Sequence, residues 1–189
     1  MKILAMVAMA AVMSARADEV PVYVQGLSAA PAPVLSRAQV LANEIFAGVS
    51  VTIDWRRGRP TRSEFLAQKP IIVELVTDTP MHFKPGALAF ALPFEGVHIN
   101  VFYDRVQDFE PELRPYVLAH VLVHEITHIL QGTSLHSHTG IMKARWNRDD
   151  YTEMSVQSLA FTEEDIELIR FGLAKRVKAG SLIAAAPAP

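Results

Sequence analysis

Five of the seven histidines in this 189-residue chain fall between His120 and His138, and two of them frame the run His124-Glu125-Ile126-Thr127-His128. Histidines four apart on a helix lie on one face, about one turn from each other. That spacing lets two imidazoles reach a single metal ion. It also sets Glu125 beside the ion, where a carboxylate can hold a water and accept its proton. The plainer reading, a helix with two satisfied histidines, does not account for the clustering. Val117, Leu118, Val121, Leu122, Ile126 and Ile129 give this helix a broad apolar face, so it reads as a buried central element. Pro111 or Pro115 fits its first turn. Gly132 fits its end, after which the chain can fold back and bring His136 or His138 as a third ligand. His120 continues the stripe, but helix curvature carries it away from a compact tetrahedral site, so it reads as a supporting residue. His82 and His98 read as structural or surface residues.

The length suffices for one domain with a sizeable core. Half the residues are hydrophobic and a fifth are charged, as in ordinary globular proteins. The net charge is −2 and no basic block occurs, which argues against nucleic-acid binding. Residues 1–17 read as a signal peptide: Lys2, an apolar run over 3–13, and Ala15-Arg16-Ala17 as a cleavage site. The run is too short to span a bilayer comfortably, so a secreted or periplasmic protein without stable membrane insertion is expected. Loss of Lys2 and Arg16 takes the net charge from −2 to −4. The absence of cysteine removes every disulfide and every thiolate ligand or nucleophile.

Along the chain, residues 20–26 alternate and predict a first strand, with Pro21 at its start or edge. A helix follows over 36–47, with Ser36 as N-cap and Gly48 as stop. A second strand is expected over 49–55. Arg56, Arg57 and Arg59 then sit in a turn, solvated or facing an acidic partner. Residues 71–76 are nearly all apolar and predict a strand covered on both faces. Strands over 87–93 and 97–103 are separated by a short turn and should pair antiparallel. Thr162 to Asp165 looks like a capping box for a final helix to about Lys178, with Lys175, Arg176 and Lys178 in its last turn. Residues 184–189 are expected to be a disordered tail, which leaves 18–183 as one domain.

This order of elements, with His124-Glu125-x-x-His128, Gly132, His136 and Met142, resembles the metzincin branch of the zinc metallopeptidases, and matrixins within it. In that family the Gly lies three residues after the second His and the third His six after. Here Gly132 is four after and His136 eight after, as if one residue were added before the Gly and one beyond it. Ser134, a poor zinc ligand, stands at the family's usual third-ligand position. His136-Ser137 resembles the His-Ser of matrixins, and Gly140-Ile141-Met142 resembles the Met-turn.

The resemblance implies a zincin-like α/β (α+β) fold: a five-stranded mixed twisted sheet, a central active-site helix and a C-terminal helix. It implies Zn²⁺ held by His124, His128 and His136, Glu125 as general base, and Met142 beneath the site. It further implies a monomeric endopeptidase whose peptide substrate pairs with an edge strand at Ala89 and Ala91. Tyr151 is a weaker candidate for assisting at the metal. A non-catalytic zinc-containing binding protein and a hydrolase of non-peptide amides are the alternatives.

Overall fold

The apolar hexapeptide Ile71–Val76 forms the middle strand of a five-stranded sheet. The computed structural model describes residues 18–184. The expected signal peptide, residues 1–17, and residues 185–189 of the expected tail lie outside the described residues. In chain order the elements are β1 (Asp18–Gln25), α1 (Ala32–Ala47), β2 (Val51–Arg57), α2 (Arg62–Gln68), β3 (Ile71–Val76), β4 (Ala89–Ala91) and β5 (His98–Phe102). Four helices follow: α3 (Tyr103–Val106), α4 (Arg114–Gln131), α5 (Arg148–Val156) and α6 (Glu163–Ala184). Strand order is β2-β1-β3-β5-β4; the first four run parallel and β4 alone is antiparallel, beside β5. This is the mixed five-stranded sheet with a central helix and a C-terminal helix that the sequence implied.

Alternation along the strands decides what packs where. Val20, Val22, Val24, Ile71, Val73, Leu75, Ile99 and Val101 point to one face and are almost wholly buried. Against that core pack α1, through Leu35, Ala38, Leu41, Ala42, Ile45 and Phe46, and α4. Fully burying one such Leu or Ile contributes about 1.5–3 kcal/mol. The opposite face holds Tyr23, Ile72 and His98 in one register row. There Tyr23 donates to Glu64 of α2 at 2.8 Å. β3 is therefore not covered on both faces, contrary to the expectation: Glu74 is exposed and Ile72 and Val76 are half-buried, because α1 and α4 lie on one side. α6 crosses α4 at Gly172, where a Cβ would stand 1.6 Å from the Leu130 carbonyl oxygen. Only glycine permits that approach. Among the described residues, no helix is long and apolar enough to cross a membrane.

Several boundaries shift for local reasons. α1 begins at Ala32, ahead of Ser36, because Pro33 fits its first turn and Pro31 sets the extended residue before it. Ser50 takes φ 62 and delays β2 to Val51, so Arg56 and Arg57 fall inside the strand. Arg56 is occupied within the fold, donating to Asp54 at 2.6 Å and to Gln68 at 3.0 Å. The strands expected over 87–93 and 97–103 shorten to Ala89–Ala91 and His98–Phe102, with Tyr103 opening α3. α6 runs on to Ala184, so Arg176 is not in its last turn; it donates to the Gly96 carbonyl at 3.2 Å and to that of Lys69.

Candidate metal centre

From Val117 to Leu130 every residue of α4 is buried, including His120, His124, Glu125, Thr127 and His128. Pro115 lies in the first turn, and Gly132 ends the helix at φ 68 with its N–H donating to the His128 carbonyl. Burial of polar side chains is costly without partners. His120, His124 and His128 each find a backbone carbonyl, whereas the Thr127 hydroxyl has no partner among the described residues.

The partners define the state of each ring. His124 Nδ1 lies 2.8 Å from the Ile141 carbonyl, and His128 Nδ1 lies 2.9 Å from the Thr133 carbonyl. A carbonyl only accepts, so each Nδ1 carries the hydrogen and each Nε2 keeps a bare lone pair. Those two Nε2 atoms stand 3.1 Å apart, and His128 Nε2 is 3.3 Å from His136 Nε2. The three side chains offer donor atoms within 4.8 Å of one another. Bare lone pairs facing each other at this separation repel, and a cation between them removes the repulsion. Neutral imidazoles fixed through Nδ1 to backbone carbonyls are also how metal-binding histidines are commonly oriented. The donor set therefore fits a metal such as zinc.

Burial keeps these rings neutral. It lowers His124 to about 3 and His128 to about 4, with the neighbouring imidazoles reinforcing the shift in each. His136, more exposed, is also lowered by burial. His138 is exposed and is not among the three clustered histidines, so the returning chain brings His136 to the group. Ser134 is exposed as well.

The returning loop is a closed turn. Ser137 N–H donates to the Met142 carbonyl at 2.9 Å, and Ile141 N–H to the Ala160 carbonyl at 2.9 Å. Gly140 sits at φ 72 where a Cβ would come within 2.2 Å of that same Ala160 oxygen, so glycine is required there. Met142 and Ile141 are fully buried in the main core. The described contact between this turn and the histidine cluster is made by the Ile141 carbonyl.

Glu125 lies on the floor of a cleft of about 700 Å³ whose walls include Ala89, His124, His136, Trp146 and Tyr151. Burial raises its carboxyl to about 8, opposed by the Ala91 backbone. Trp146 stands edge-on to His124 at 5.4 Å and to Tyr151 at 6.3 Å. Ala89 lines the cleft, whereas Ala91 is buried beside Glu125. His120 has a supporting place: its Nδ1–H donates to the Tyr116 carbonyl at 2.8 Å, and its Nε2 accepts from Leu159 N–H at 3.1 Å. His98 lies in β5 against Glu95, away from the cluster.

Asp165 was legible in sequence only as a capping residue. It is buried, accepts from Thr162 in the capping box, and also accepts from Ser137 Oγ at 2.7 Å, one residue beyond His136.

The fold resembles that of archaemetzincin. The solved structure of archaemetzincin from Methanopyrus kandleri matches with a TM-score of 0.54 and 18% sequence identity, over 86% of this chain and 99% of that one. No family model matches the sequence, and no curated protein does. The likeness is one of fold, on which the histidine cluster stands as an observation of this chain's own residues.

Proposed function

We propose that this chain is a zinc-dependent peptidase of metzincin-like, matrixin-like design, exported from the cytoplasm and acting as a monomer on peptide or protein substrates. The observation that carries the reading is the convergence of three imidazole Nε2 atoms beside a buried carboxylate in an open cleft. The export reading rests on the sequence of residues 1–17. The longer spacing from His128 to His136 is read as an expanded metzincin loop, and the word metzincin in the neighbour's name agrees with the resemblance.

His124, His128 and His136 would hold the ion. Zinc supplies Lewis acidity that polarises a carbonyl and acidifies a water. Glu125 takes the proton from the attacking water and passes it to the leaving amine nitrogen as the C–N bond breaks. For that it must be ionised, and a nearby dication favours the ionised form that burial alone disfavours. Ala89, on the cleft edge, pairs with an extended substrate backbone. Trp146 and Tyr151 form the facing wall and shed water from the bound chain.

The test is Glu125→Gln, which keeps size and hydrogen bonding but removes the base. Zinc content should stay at one per chain while peptide turnover falls by about 10²–10⁴-fold. Equal turnover by the variant would defeat the mechanism. A zinc-loaded wild type that cleaves no member of a peptide library would leave a non-catalytic zinc protein.

A further inference from the structure

The cleft has a charge pattern that the chemistry of the metal and Glu125 does not require. Lys84, Lys143 and Arg145 all line it, and among the described residues its only lining carboxylate is Glu125. The chain as a whole carries net charge −2, so a cationic wall is not a consequence of composition. The three cations are not equivalent. Lys143 donates to Asp150 at 2.6 Å, and Asp150 also caps α5, so this charge is cancelled inside the fold. Among the described residues, no carboxylate pairs with Lys84 or Arg145.

The backbone under Lys84 is nonetheless fixed. Arg105 Nη1 donates to the Lys84 carbonyl at 2.9 Å and to the Ala87 carbonyl at 2.5 Å, and Ala87 N–H closes the turn onto the Lys84 carbonyl at 3.1 Å. Arg145 follows the closed turn that holds Ile141 and Met142 and precedes Trp146. Two exposed cations without a carboxylate partner among the described residues therefore line the cleft from separate backbone segments, and the segment of Lys84 is anchored. A cleft lined by one sign of charge attracts the opposite sign, the more so at low ionic strength.

We propose that this cleft selects a carboxylate on its substrate, held between Lys84 and Arg145. This rests on the peptidase reading and names its substrate class: acidic peptides, with Asp or Glu close to the scissile bond. Guanidinium is suited to bidentate pairing with a carboxylate, whereas the lysine acts as a point charge. The α-carboxylate of a chain end offers the same chemistry, and the experiment separates the two sources.

Zinc-loaded protein is given N-acetylated, C-amidated peptides that differ by Glu against Gln flanking the cleaved bond, plus a Gln peptide with a free C-terminus. For two exposed pairs of this kind, the Glu/Gln ratio of kcat/KM should be roughly two- to tenfold at low salt. It should shrink toward one in Lys84→Gln/Arg145→Gln, and it should shrink in the wild type as salt is raised. The salt series needs no variant to fold. A gain confined to the free C-terminus keeps the carboxylate site and assigns it to a chain end. Equal cleavage of Glu and Gln peptides overturns the inference and leaves the peptidase reading standing. Failure to cleave any peptide defeats that reading instead. The inference is then decided by binding of the same labelled peptides to zinc-loaded Glu125→Gln, where equal affinities overturn it and tighter Glu binding upholds it.

Discussion

Ser137 Oγ donates to the buried Asp165 carboxylate at 2.7 Å, which ties the loop bearing His136 to the first turn of α6. The other oxygen of Asp165 accepts from Thr162 N–H at 2.9 Å and Thr162 Oγ at 2.7 Å, so the carboxylate is held while it holds the loop. Its negative charge also favours positive charge on His124 and His128. Groups that orient metal ligands commonly contribute 10- to 100-fold to metal affinity. Ser137→Ala removes only the loop bond and should weaken zinc retention about tenfold, measured by competition with a chelator. Asp165→Asn should do so and also lower the melting temperature, because it impairs the α6 cap. Unchanged zinc release in Ser137→Ala would show that the loop holds its position without this tie.

The ligand set makes a sharper prediction. His124→Ala or His128→Ala should abolish retention of one zinc per chain, measured by elemental analysis of the purified protein. His136→Ala should weaken binding far more than His138→Ala, since His136 Nε2 stands 3.3 Å from His128 Nε2 and His138 lies outside the cluster. The reverse order would mean that the loop rearranges when the metal binds.

How much of this was legible in the sequence follows from where the physical signal resides. α4 announced itself because its apolar face, its proline start and its glycine end agree with one another. The β4–β5 hairpin was legible from its short turn, and β3 from its apolar run. α2 and α5 were not assigned. α5 buries only Met154, so it has no apolar stripe for periodicity to find. Its signal, like that of α2, is a capping box: Asn147 with Asp150, and Thr61 with Glu64. The polar stretch after Met142 therefore folds over the cleft rather than trailing from it, and Trp146 becomes a wall of the site. The tie between Ser137 and Asp165 spans 28 residues, and no local pattern encodes it.

Acid and alkali should act on the metal-free protein through different residues. His124 and His128 have folded values of about 3 and 4, below the unfolded value of about 6.5. Their contribution to stability is complete above pH 6.5 and is lost as pH falls toward 4, because the unfolded chain takes up protons first. Glu125 has the opposite sign. Its folded value of about 8 exceeds the unfolded 4.5, so its contribution is complete below pH 4.5 and is lost as pH rises toward 8. Two histidines outweigh one carboxyl below pH 6.5, so chelator-treated wild type should be most stable near pH 6.5. Glu125→Gln removes the alkaline arm and should gain on the order of 2–4 kcal/mol over the wild type at pH 8, or about 5–15 °C in melting temperature. A wild type whose melting temperature does not fall from pH 6.5 to 8 would show that the buried carboxyl is not strained by ionisation.

The proposed substrate strand can be probed through the ladder of β4. Leu92 N–H donates to the His98 carbonyl and Phe102 N–H to the Leu88 carbonyl, while Ala89 opposes Val101 and Ala91 opposes Ile99. In an antiparallel pair, residues alternate between those bonded across the ladder and those facing away. Residues 88, 90 and 92 are thus turned to β5, and the N–H and C=O groups of Ala89 and Ala91 face the free edge. The edge is open to an added strand only if the cleft runs along it, and residues 84–89 do line the cleft. Ala91 is the poorer probe, because it is buried and its backbone acts on Glu125. Ala89→Pro removes one edge N–H without touching the β4–β5 bonds. Loss of one backbone hydrogen bond to substrate, at about 0.5–1.5 kcal/mol, should raise KM about two- to tenfold with zinc content unchanged. A KM unmoved by Ala89→Pro, in a variant that melts at the wild-type temperature, would place the substrate backbone elsewhere in the cleft.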